Sequence, residues 1–185
     1  KTAEIDDLIA KKEELLRLLA EQRTALITHA VTKGLNPNAP LRPSGIDWLG
    51  NVPAHWEVSQ MKYEAKDATS ITYGIVQAGP HIEDGIPYIK TGDMSGDALP
   101  TTGYSKTSKS IDDAYKRSKV FAGDIVIAIR ATLGKCLLLP AEIDGANLTQ
   151  GTAKFSPNEK LLNLYALSYL SCTQVQNYID SVSKG

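Results

Sequence analysis

Cysteine is scarce in this chain, with only Cys136 and Cys172, and none of His29, His55 and His81 stands at metal-ligand spacing from another histidine or from either cysteine. That excludes a disulfide scaffold and gives no reason to expect a metal or a cofactor; both thiols lie among apolar residues and read as buried and free. Long apolar runs are missing too. The longest, 125–129 and 137–139, fall far short of the roughly 18 residues of a membrane span. Charge of one sign is also lacking, since 20 basic residues against 21 acidic leave a formal net charge of -1. A generic polyanion binder would carry a broad basic excess, so any nucleic-acid contact here must be local. No leader with a basic head and an apolar middle opens the chain, whose first residue is Lys1, and it reads as a fragment of a soluble, cytoplasmic protein.

The motifs of catalysis are absent as well. No cofactor-binding glycine loop accompanies an Asn/Asp-Pro-Pro-aromatic or Pro-Cys element, as methyl transfer to a base would require, and no Ser/His/Asp arrangement is recognisable. Asp47 with Glu64-Ala65-Lys66 has the spacing of a metal-dependent nuclease only superficially, because Asp47 lies in a Pro-rich connector. No catalytic residue is assigned.

Glycine and proline are missing from residues 2–33, where apolar residues recur at helical spacing: Ile5, Leu8, Ile9, Leu15, Leu16, Leu19, Leu26, Ile27, Ala30 and Val31. One amphipathic helix follows, with Thr2 as N-cap, a Glu13 to Arg17 pair on its rim and Gly34 as the left-handed residue that ends it. Leu8 and Leu15, with Ile5, Leu19 and Leu26, approximate a heptad, so the stripe calls for a second helix, against the plainer reading of a terminal core helix. Residues 34–56 then carry Pro37, Pro40, Pro43, Gly45, Gly50 and Pro53 around Trp48 and Trp56. The prolines hold this connector extended, while two tryptophans need an apolar surface to dock on. Residues 57–185 read as short strands over 57–63, 70–76, 86–90, 125–130, 135–139 and 149–155, closed by a second amphipathic helix over 160–182. The expected class is α+β: a long N-terminal helix, a mixed and mainly β domain, and a C-terminal helix.

Three stretches carry a resemblance. KTAEIDDLIAKKEELLRLLAEQRTALITHAVTKGLNPNAP, RPSGIDWLGNVPAHWEV and GDIVIAIRATLGK together resemble the specificity subunits of type I restriction-modification systems. The first is similar to the family's spacer helix, the second to the entry into a target-recognition domain, and the third, a glycine turn feeding an apolar strand, is the least specific. The resemblance implies a coiled-coil spacer at 1–33, a connector at 34–56 and one target-recognition domain at 57–185. It further implies double-stranded DNA, a modification (methyltransferase) subunit and a restriction subunit as partners, with methylation supplied by the partner. In the family, two recognition domains on two antiparallel helices read a split target; this chain carries one of each. About 29 helical residues at 1.5 Å each span roughly 43 Å, enough to bridge one turn of B-DNA at about 34 to 36 Å.

Base discrimination needs donors and acceptors at groove edges, and affinity needs cations or amides at phosphates. Candidates therefore lie in polar loops beside strands. Tyr73, Gly74 and Gln77 form one set: Tyr73 stacks or bonds at the groove while Gly74 admits close backbone approach, or the segment is a β-turn with a packed tyrosine. Lys90 and Thr91 follow a strand and face phosphate or a structural turn. Arg130, Thr132 and Lys135 form the favoured set, two cations flanking a small-residue turn, with Arg130 alternatively paired to Asp124 or Glu142. Asn147, Gln150 and Lys154 complete the candidates; Asn and Gln bond adenine bidentately but also form turns. Lys106, Lys109, Lys116, Arg117 and Lys119 make a basic stretch that reads as a solvated loop or a phosphate clamp. A scaffold without DNA specificity, recruiting a partner through the helix, is the competing function.

With one spacer helix per chain, a homodimer through the stripe from Ile5 to Val31 is expected. Sedimentation at tens of micromolar should therefore give a dimer; a clean monomer would remove it.

Overall fold

The structure, a computed structural model, describes residues 2–66 and 71–183. Lys1, Ser70, Lys184 and Gly185, which figured in the sequence reading, lie outside the described residues. The first helix, α1 (Thr2–Lys33), is uninterrupted, and Gly34 ends it at φ +83° with its N–H donating to the Ala30 carbonyl at 3.1 Å. Thr2 is already helical rather than a cap, and Arg17 pairs not with Glu13 but with Glu14 at 2.7 Å and with Glu21. These pairs are exposed and screened by solvent, so they decorate the rim of the helix and contribute little to its stability. Ile5, Leu8, Ile9, Leu15, Leu16, Leu19 and Leu26 all remain at least 50% exposed. Only the last turns dock: Val31 and Thr32 are buried, and Ile27 packs beside Val31, Cys172 and Val175.

The connector is not merely extended. β1 (Leu41–Pro43) and β2 (Asn51–Pro53) pair antiparallel, Arg42 opposite Val52, and the hairpin buries Leu49 and Val52. Trp48 finds its apolar surface by stacking on Tyr178, ring centroids 4.7 Å apart and planes 16° apart.

Two small sheets make the domain. In one, β3 (Ile86–Ile89) lies between β4 (Lys106–Thr107), antiparallel, and β7 (Asn147–Leu148), parallel. In the other, β5 (Ile125–Ala128) lies between β6 (Cys136–Leu138) and β8 (Thr152–Phe155), both antiparallel. The main core gathers Ile89, Met94, Val120, Val126, Leu139 and Leu148 between them. Cys136 and Cys172 are buried free thiols, as the sequence indicated.

Several elements depart from the sequence reading. Residues 57–63 form no strand; Met61–Tyr63 is a 3-10 turn. Of 70–76, the described part contributes only single bridges, Tyr73 to Ala153 and Ile75 to Thr149. The expected strand at 149–155 begins only at Thr152, since 149–151 turns the chain from β7 into β8. A short helix, α2 (Lys109–Ala114), was not expected; Ser108 caps it by accepting the Ile111 N–H at 3.3 Å. The C-terminal helix is broken into α3 (Asn163–Leu170) and α4 (Thr173–Ser183). The break has a tertiary cause: Cys172 is buried against Val31, and the Thr173 N–H donates to Thr28 Oγ1 of α1 at 3.3 Å.

A buried polar network ties residues 112–119 to β7. Asn147 Oδ1 accepts from Ser118 Oγ at 2.6 Å and from the Leu148 N–H at 2.8 Å, while Nδ2 donates to Asp112 Oδ1 at 2.9 Å and to the Tyr115 carbonyl at 3.2 Å. Lys119 Nζ stands 2.7 Å from Asp112 Oδ2 and neutralises that buried carboxylate. Truncating Asn147 strands these partners without water, so Asn147→Ala is expected to cost about 3 kcal/mol or more. Urea unfolding should show this as a lower midpoint at unchanged slope; an unchanged midpoint would mean the network adds nothing.

Candidate nucleic-acid interface

Three chain reversals meet at one concavity of 380 Å³. Lys90 and Thr91 follow β3, Arg130 follows β5, and Thr149, Gln150 and Gly151 join β7 to β8; Ile75 and Val76 close the side. Backbone bonds bind these segments together: Gln150 N–H to the Ile75 carbonyl at 3.0 Å, Ile129 N–H to the Gly151 carbonyl at 3.0 Å, and Thr149 N–H to the Ile89 carbonyl at 3.1 Å. Gly151 is required there, because a Cβ would lie 2.5 Å from Thr91 Oγ1.

With the backbone groups occupied, the side chains at the rim are left for a ligand. The Arg130 guanidinium and the Gln150 amide have no partner among the described residues, and Arg130 does not pair with Asp124 or Glu142; Asp124 instead accepts the Phe121 N–H at 2.9 Å. Lys90 Nζ is exposed, steadied by Ser105 Oγ at 2.8 Å and lying 5.9 Å from the Tyr88 ring centroid. The Thr91 hydroxyl is engaged by the Gly151 carbonyl at 3.3 Å, so it shapes the rim. Gln77 is exposed between Val76 and Ala78 of the lining, and Tyr73 is 59% exposed beside β8. Two cations and an amide thus line one concavity of a chain with almost no net charge.

The remaining candidates are placed differently. Gly74 is buried, and a Cβ there would fall 1.9 Å from the Leu148 carbonyl oxygen, so its close approach is to β7 rather than to a duplex. Asn147 has no accessible surface and all of its amide is spent in the core, which removes it from the contact set. Lys154 is corrected likewise: it is 7% exposed, its ammonium donates to the Lys119 carbonyl at 2.6 Å, and burial lowers its pKa against the opposing pull of Asp124. Lys135 does not project with Arg130. Its ammonium donates to the Ser95 carbonyl at 3.0 Å, and with Thr132 it lines a separate depression of 590 Å³ that reaches Gln176 and Asp180. In the basic stretch, Lys106 bonds the Glu83 carbonyl, Lys109 pairs with Asp113 and Lys119 with Asp112. Lys116 is exposed and, after the Lys109 hydrogen bond, helps hold the Asp113 carboxyl below its usual range, which leaves Arg117 as the exposed cation of that stretch without a partner among the described residues.

The sequence reading missed Thr149, Gly151 and the supporting Ser105. A glycine after two polar residues in Thr149-Gln150-Gly151 was the available signal for a tight turn.

Burial pushes the Cys136 thiol up to about 12, away from a reactive thiolate. Among the described residues no group of three or more His, Cys, Asp and Glu is placed to hold a metal ion, and Glu64 of the superficial nuclease pattern accepts from Asn158 Nδ2 at 3.2 Å.

Comparison with known proteins identifies the family. Residues 75–185 match the family described as type I restriction modification DNA specificity domain. The chain is 28% identical over 187 residues to the type I restriction enzyme EcoBI specificity subunit of Escherichia coli, covering 98% of this chain and 39% of that protein. The crystal structure of the HsdS subunit from Thermoanaerobacter tengcongensis shares the fold at a TM-score of 0.55 and 21% identity, over 94% of this chain and 40% of that one. A chain from a structure concerned with complex assembly and conformational transition of the type I R-M system matches at 0.50 and 22%, over 91% and 40%. This chain therefore spans about two fifths of the length of these relatives.

The contrast between packed and free side chains is measurable. Gly74→Ala, which meets backbone, is expected to lower the melting temperature by several degrees, whereas Arg130→Ala and Gln150→Ala should stay within about 0.5 kcal/mol of the parent. A large loss of stability in either of the latter two would show that their side chains serve the fold.

Proposed function

This chain belongs to the type I restriction-modification DNA specificity family, and we propose that it reads one half of a bipartite DNA target on behalf of a modification (methyltransferase) subunit and a restriction subunit. One observation carries the reading: Lys90, Arg130 and Gln150 converge on a single concavity from three separate strand ends, and the Arg130 and Gln150 side chains are unengaged among the described residues. Arg130 offers the planar donor fork that matches guanine O6/N7 or a phosphate, Gln150 the donor and acceptor pair that matches adenine, and Lys90 a phosphate contact. Tyr73 and Gln77 extend the surface. In this reading the chain supplies specificity and the modification and restriction subunits supply catalysis.

α1 serves as spacer and docking helix. At 32 residues and 1.5 Å per residue it reaches about 48 Å, longer than one turn of B-DNA at about 34–36 Å. Its stripe of exposed leucines and isoleucines is suited to a second helix, supplied by another copy of the chain in a homodimer. Among the described residues no helix is long and apolar enough to cross a membrane, and DNA as target suits a cytoplasmic protein.

Selection from random duplexes by the 185-residue chain is the direct test. Retention should be sequence-dependent and salt-sensitive; Gln150→Ala should relax discrimination at one base pair by about 1–3 kcal/mol. Arg130→Ala should either do the same or lower the salt slope by about one. Equal retention of all sequences would leave the scaffold function instead.

A further inference from the structure

The turn between β5 and β6 is held in a conformation its own sequence does not favour. Ala131 stands at φ +61°, the one non-glycine residue at positive φ among the described residues, and it directly follows Arg130. An L residue in the left-handed region crowds its Cβ against the backbone, and such a conformation persists only where surrounding contacts over-determine it. Inside the turn, the Gly134 N–H donates to the Ala128 carbonyl at 2.9 Å and the Lys135 N–H to the Thr132 carbonyl at 3.1 Å.

A third restraint comes from outside. Nε2 of Gln176, on α4, donates to the Gly134 carbonyl at 3.0 Å and to the Leu170 carbonyl at 2.6 Å. One side-chain nitrogen thereby joins the turn to the last residue of α3, at the break before α4. The amide packs directly on the turn, since a Cβ on Gly134 would lie 2.9 Å from Gln176 Oε1. Gln176 is itself anchored, because α4 begins on the Thr173 to Thr28 bond and buries Val175 and Cys172 against Val31 of α1.

We propose that Gln176 is a positioning residue for DNA reading: it clamps the 130–134 turn onto α4, keeps Ala131 left-handed and so aims Arg130 into the concavity shared with Lys90 and Gln150. This rests on the DNA-reading function proposed above. The chemistry demands this residue type. Two N–H donors on one atom are needed to bridge two carbonyls; glutamate offers none at neutral pH, methionine none, and asparagine is one methylene short.

Two readouts test the clamp in the 185-residue chain. Amide hydrogen exchange needs no DNA: Gln176→Met should lower protection of the Gly134 and Lys135 amides at least tenfold while amides of the β5–β8 pairing keep theirs. If Gln176→Met does not fold, Gln176→Asn makes the same comparison. In binding, Gln176→Met should reduce discrimination between the selected site and its one-base variants at least fivefold. Adding Ala131→Gly should restore most of that discrimination, since glycine reaches positive φ without the Cβ crowding that the clamp must otherwise offset. Unchanged protection overturns the clamp. Lost protection with full discrimination, or lost discrimination that Ala131→Gly does not rescue, overturns its role in aiming Arg130. A parent chain that loses turn protection on Gln176→Met yet never discriminated among sequences overturns the reading function itself, and the DNA-free measurement tells that failure apart.

Discussion

Asn147 is fully enclosed, and its side-chain amide uses both donors and both acceptor positions: Ser118 and the Leu148 N–H on the oxygen, Asp112 and the Tyr115 carbonyl on the nitrogen. The strands here are two to four residues long, so their ladders alone bind the segments weakly. A saturated buried amide does what longer strands would otherwise do. It fixes residues 112–119 against β7, and β7 leads within two residues into the 149–151 turn that presents Gln150. Lys154 and Lys119 add a second tie, the one to a carbonyl and the other to Asp112. Polar residues that looked available for a ligand are thus consumed in building the platform that displays the others.

A platform of this kind explains how a chain with a formal net charge of -1 can suit a polyanion. Several cations are neutralised locally or turned onto backbone carbonyls, as Lys106, Lys109, Lys119, Lys135 and Lys154 illustrate. Lys90 and Arg130 escape that fate because the strand ends carrying them open into one concavity. Local concentration of charge then replaces net charge, and with a Debye length of about 8 Å at physiological salt it is the local arrangement that a bound duplex would feel.

The long helix α1 obeys a different constraint. Fully burying a leucine or isoleucine contributes about 1.5–3 kcal/mol, and seven such residues along α1 remain at least half exposed while only its last turns dock. Those last turns also seat α4, whose Gln176 reaches the turn after β5. The end of α1 and the turn that carries Arg130 are therefore mechanically adjacent, joined by a few side chains across α4.

Local pattern was enough for α1, since 32 residues without glycine or proline and with a helical apolar period leave few alternatives; it was enough also for the apolar strands at 86–89 and 125–128 and for the α+β class. The family was legible in the spacer, the connector and the Gly123 to Lys135 stretch. What the sequence could not reveal was decided by partners distant along the chain. Thr28 receives Thr173 and divides a helix that periodicity reads as one; Leu148 sits where Gly74 would carry a side chain; Asp112, far from Asn147 in sequence, draws that residue into the core. Residue type and spacing report which groups are capable of touching DNA. Whether Gln150 faces outward while Asn147, three positions earlier, faces inward depends on which buried donors and acceptors must be satisfied, and that is settled only when the chain closes on itself.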